Sequence, residues 1–126
     1  MNVTQPRLPI LPLESFGFCH MSARFKERFG DFASGTAREL IGRFTLNDWG
    51  LMSEEDKEYN ARDLASGHAC RLMGSYDVEG TTVWVIGYIQ HDPELQSNPD
   101  MCNTCVLMPA QSSLPAARPA LPSSDY

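Results

Sequence analysis

The stretch Thr81-Thr82-Val83-Trp84-Val85-Ile86-Gly87-Tyr88-Ile89 decides the fold. β-branched and aromatic residues fill it, and no helical stripe runs through it. In an extended chain Val83, Val85 and Ile89 face one way, and Trp84, Ile86 and Tyr88 face the other. Both faces are apolar, which predicts a central strand covered on both sides. Upstream, Asp77-Val78-Glu79-Gly80 reads as a turn in which Gly80 supplies positive φ. It joins the central strand to a partner over residues 69–76, where Cys70, Leu72, Gly74 and Tyr76 share one face. Downstream, residues 90–101 read as a polar loop broken by Pro93 and Pro99, and residues 102–108 as a third strand stopped by Pro109.

Before residue 67 the rhythm is helical. Met21, Phe25 and Phe29 fall at i, i+4 and i+8, which predicts a helix over 21–29 closed by Gly30. Ala37, Leu40, Ile41 and Phe44 make an amphipathic stripe over 36–44. Asn47-Asp48-Trp49-Gly50 breaks it, with Trp49 expected in the core. Ser53 then caps a third helix with Glu54, Glu55 and Asp56 in its first turn, and Gly67 ends it. Its apolar stripe is thin, so it belongs at the surface. The expected fold is therefore α+β: two or three N-terminal helices, then a three-stranded antiparallel β-meander packed on them. Residues 1–14, with Pro6, Pro9 and Pro12, read as an extended arm whose Leu8, Ile10, Leu11 and Leu13 lie along the domain or on a partner. Residues 15–109 form the domain, and the Pro/Ala/Ser-rich residues 110–126 a disordered tail.

The chain of 126 residues suits one domain, and 42% hydrophobic residues suffice for a core. No run of about 18 apolar residues suggests a membrane span. The N-terminus lacks the charged and apolar regions of a secretory signal, so a cytoplasmic setting is expected. There the four cysteines stay reduced. The net charge of −6 is uneven: residues 1–52 sum to +1 and residues 53–126 to −7. An acidic surface of that kind suits a basic protein partner better than nucleic acid.

Four stretches occur together in order and spacing: Asn47-Asp48-Trp49-Gly50; Ser53-Glu54-Glu55-Asp56-Lys57-Glu58-Tyr59-Asn60; Arg71-Leu72-Met73-Gly74-Ser75-Tyr76; and Gly80-Thr81-Thr82-Val83-Trp84-Val85-Ile86. Through them the segment 36–109 resembles a family of small proteins common on bacterial plasmids, integrative elements and prophages. Its members are often labelled "type I restriction endonuclease subunit M" or "plasmid-related protein". The resemblance implies a mobile-element protein to which no established activity attaches. The subunit label does not suit the chemistry: the chain is too short for a methyltransferase and has neither a Gly-rich cofactor loop after a strand nor an Asn-Pro-Pro-Tyr/Phe motif. The family runs from the Trp-containing strand to the last strand through a short turn. Here residues 90–101 intervene, the Cys102-x-x-Cys105 pair lies beyond them, and the Pro-rich ends are extra.

Three sets of residues carry candidate chemistry. Glu54, Glu55, Glu58 and Asp63 make an acidic helix face suited to a protein partner, a host or element-encoded one if the resemblance holds. Arg24, Lys26, Arg28, Arg38 and Arg43 offer nucleic acid a basic patch if the first two helices pack side by side. His68, Cys70, Cys102 and Cys105 have the thiolate and imidazole groups zinc prefers, but in a strand the odd separation of Cys102 and Cys105 sends their side chains to opposite faces. No spacing singles out a nucleophilic pair among Cys19, His20, His68 and His91, and Asp92, Glu94 and Asp100 are too scattered for a calcium cage. The expected function is a non-enzymatic, protein-binding accessory protein of a mobile element, with inhibition of a host defence system as one form. A nucleic-acid-associated regulator and a zinc-stabilised binding module are the alternatives.

Overall fold

A computed structural model of the chain describes residues 8–109; the N-terminal half of the expected arm and the expected tail lie outside these residues. The deciding stretch is a strand, Thr81–Ile89, and its neighbours form around it. In chain order the strands are β1 (Phe18–Met21), β2 (Cys70–Val78), β3 (Thr81–Ile89) and β4 (Asn103–Leu107). They form one sheet in the order β1-β4-β3-β2. The β2–β3 hairpin turns on Glu79 and Gly80, both at positive φ, which matches the twist of the strands it joins. β4 pairs antiparallel with β3, while β1 pairs parallel with β4, from Phe18 opposite Asn103 to Met21 opposite Val106.

The helices are α1 (Ala23–Phe29), α2 (Ala33–Thr45), α3 (Glu54–Ala65) and the single-turn α4 (Pro93–Gln96). Ser22 caps α1 by accepting from the Phe25 N–H, and Ser53 caps α3 by accepting from the Asp56 N–H. The buried stripe of α2 is Ala33, Ala37, Leu40 and Phe44. Phe44 meets the sheet over Gly87, where a side chain would crowd its ring. Around this contact Phe16, Phe25, Leu72, Tyr76, Val83, Val85 and Val106 close a core with less than about 3% of each residue exposed.

The structure corrects the meander. The three antiparallel strands are present, but a fourth, parallel strand precedes all the α-helices and makes the sheet mixed. Met21, expected to open a helix, ends that strand instead, and Ser22 caps α1, which begins at Ala23. A single-turn helix capped by Asp92 interrupts the polar loop, with Pro93 in its first turn. Of the expected arm, Leu8 and Leu11 pack on the core and Ile10 stays exposed, while Leu13–Phe16 coil into a 3₁₀ turn.

The two edges of the sheet are treated differently. On β2 the outward-facing backbone is capped at its middle: Ser75 N–H donates to the Trp49 carbonyl at 3.0 Å, and Leu51 N–H to the Ser75 carbonyl at 2.7 Å. Gly50 makes this approach feasible, because its φ is +72° and a Cβ there would run into the Ser75 carbonyl. One rung along, the side chain of Asn60 on α3 donates to the Met73 carbonyl at 2.7 Å. Asn60 is fully buried and its own Oδ1 has no partner, so it is held there for its donor. Replacing it by alanine strands the Met73 carbonyl in the interior. Asn60→Ala is expected to cost about 2 kcal/mol, read as a lowered urea midpoint at unchanged slope.

Candidate functional site

The other edge is open. β1 has a strand neighbour on one side only. Ser22 N–H donates to the Val106 carbonyl at 2.9 Å, which fixes the alternation: Phe18, His20 and Ser22 turn their backbone groups to β4, and Cys19 and Met21 turn theirs outward. Among the described residues no backbone group meets the outward N–H and C=O of Cys19 and Met21.

A web of contacts from distant sequence holds β1 in this position. Thr104 Oγ1 donates to the Phe16 carbonyl at 2.8 Å, and Cys102 Sγ donates to the Ser15 carbonyl at 3.3 Å. Gln90 N–H reaches the same Ser15 carbonyl at 3.0 Å. Gly17, at φ +68°, then lets the chain leave the 3₁₀ turn against the Cys102 carbonyl, where a side chain has no room.

A groove of about 500 Å³ runs between this edge and α2. One wall is Leu13, Phe16, Gly17, Cys19, His20 and Met21; the other is Ser34, Ala37, Arg38, Ile41, Gly42 and Thr45. Ile41, expected in the core stripe of α2, is only half-buried and faces this space. Arg38 makes no ion pair or hydrogen bond among the described residues. Burial, and secondarily Cys102, push the Cys19 thiol above its ordinary value of 9.0. A catalytic thiol needs the reverse, a pKa lowered toward neutrality.

The residues singled out in the sequence are dispersed over other surfaces. Glu54, Glu55, Glu58 and Asp63 are exposed on α3, with Lys57 Nζ 3.6 Å from Glu54. Arg24, Lys26 and Arg28 are exposed on α1, and Arg28 Nε donates to Thr81 Oγ1 at 3.1 Å. Arg43 is committed elsewhere: it bonds the Asp48 carboxylate at 2.7 Å and lies 4.9 Å over the Tyr76 ring. That bond holds the Asp48 carboxyl below its ordinary range. Of the five basic residues only Arg38 lines the groove. The cysteine–histidine set does not converge: Cys102 and Cys105 are buried, while His68 is exposed in the α3–β2 connection. Among the described residues no three His, Cys, Asp or Glu side chains are grouped to hold a metal. Burial pushes Cys105 up to about 11, and burial with Asp63 pushes Cys70 to about 11. Among the described residues no helix is long and apolar enough to cross a membrane.

The thiols therefore differ in accessibility. With Ellman's reagent, Cys19 is expected to react first in the folded protein, Cys70 more slowly, and Cys102 and Cys105 only on unfolding. Because its pKa is raised, the Cys19 rate should still climb with pH above 9.0. A rapid reaction at Cys105 in the folded protein contradicts its placement in the sheet.

In comparisons with known proteins the chain matches no family model, no curated protein and no solved structure, so its functional reading rests on this geometry.

Proposed function

We propose that the chain is a non-enzymatic protein-binding module that takes an extended segment of its partner onto the open β1 edge. The observation that carries this is the contrast between the two edges. An unpaired row of N–H and C=O groups is a template for another strand, and proteins normally cover or disrupt it. Here the 49–51 segment and a buried asparagine occupy the middle of the β2 edge, at Ser75 and the Met73 carbonyl, while Cys19 and Met21 present theirs outward beside the groove. The edge lies beside a groove, the arrangement in which main-chain bonds give affinity and a side-chain pocket gives selectivity. The resemblance of the sequence to plasmid- and prophage-borne proteins suggests a partner encoded by such an element or by its host, with inhibition of a defence system as one role.

The acidic face of α3 is the competing surface within this reading, and substitution separates the two. Proline at position 19 removes an outward N–H without touching the ladder to β4, because only edge positions facing away from their neighbour tolerate proline. A Cys19→Pro variant that keeps its circular dichroism should fail to retain a partner held by the native protein. A Glu54→Lys/Glu55→Lys/Glu58→Lys variant should retain it. The opposite pattern moves the binding role to α3. Amide exchange gives an independent reading: the Cys19 and Met21 N–H groups should exchange fast in the free protein and slowly in the complex. Unchanged exchange at both overturns the edge as the contact.

A further inference from the structure

We infer that the segment accepted at β1 is an acidic, apolar one, with an apolar side chain entering the groove and a carboxylate beside it paired with Arg38. This rests on the reading of β1 as a docking edge and specifies its ligand.

A strand added to β1 lies in the plane of the sheet, and alternate side chains point to the face covered by α2. Cys19 and Met21 pair with Thr104 and Val106, so they mark that face on β1. Side chains of the incoming strand on the same face must enter the space between β1 and α2, which is the groove. Its walls there are Met21, Ala37 and Ile41, and a space of about 500 Å³ has room for a leucine- or phenylalanine-sized group. Small residues, Ser34 and Gly42, line the α2 side and keep it open.

Charge selects within that class. Arg38 is the guanidinium on the groove wall, and it has no counter-ion among the described residues. Arg43, five residues further along α2, already holds Asp48. An arginine left unpaired beside an apolar cleft favours a ligand carboxylate, which it can bind with two parallel hydrogen bonds. A basic ligand is opposed by the same charge.

A random 12-residue peptide library displayed on phage, selected on the folded full-length chain, tests both parts. The expected result is enrichment of segments that alternate apolar residues with Asp or Glu. Synthetic copies of the enriched peptides should lose detectable binding to Cys19→Pro. They should bind Arg38→Glu, a substitution at an exposed helix position, about tenfold more weakly, the scale of one charge-assisted contact. Their Asp/Glu→Lys versions should recover on Arg38→Glu. Peptides that depend on residue 19 but carry no acid, or ignore Arg38→Glu, overturn the ligand assignment and leave the docking edge standing. Peptides indifferent to both variants overturn both. Sedimentation of the native chain closes the remaining route: a dimer that Cys19→Pro dissociates assigns the edge to a second copy and overturns the acidic ligand.

Discussion

Strand β3 is apolar on both faces and has a strand on each side, and the other elements are placed by the need to cover it. Val83, Val85 and Ile89 are wholly buried on one face and Ile86 is 2% exposed on the other. A residue pair such as Trp84 and Tyr88 can shield part of a face, but a run of this kind leaves water only when helices close over it. α2 does so through Phe44, which reaches the sheet because Gly87 has no side chain. α3 contributes differently. It carries few apolar residues, and its attachment comes from Leu64, buried in the core, and from the amide of Asn60 on the β2 backbone.

That division of labour makes the molecule asymmetric. One margin of the sheet is capped at its middle by the 49–51 segment and a side-chain amide, and the other faces outward beside a groove. The inner margin of β1 is held by polar contacts, Thr104 to Phe16 and Cys102 to Ser15, rather than by a large apolar side chain. Three of the four residues of β1 are exposed, so the strand contributes little to the core. Its burial does not account for its being a strand, whereas its hydrogen bonds to β4 do.

Much of this was readable from side-chain periodicity. The β2–β3 hairpin, the α2 stripe, the Ser53 cap and the burial of Trp49 all follow from residue type and spacing, and the structure has each of them. β1 did not register because Phe18–Met21 is only four residues long and shows no alternation; its exposure runs unbroken over Phe18, Cys19 and His20. It is a strand because of residues near the other end of the chain, and no local pattern encodes that. The candidate site was missed for the same reason. Arg38 stood out as one of five basic residues, and Cys19 and His20 as possible reactive groups. What joins them is the groove, a product of parallel pairing. The acidic and cysteine sets were visible as composition; in space the first is an exposed face of α3, apart from the residues that line the groove, and the second is divided by the sheet.

The parallel pairing also bears on the order of events during synthesis. Phe16 and Thr104, which share a buried hydrogen bond, stand 88 positions apart. Closing so long a loop is slow, and it must wait until the C-terminal strand has left the ribosome. Until then the hairpin and helices can assemble, but β3 stays bare along one side and the first residues have nowhere to dock. The nascent protein therefore passes through a stage in which its most apolar strand is itself a free margin. In the finished fold β4 fills that position, and the shorter, more exposed β1 is left outermost.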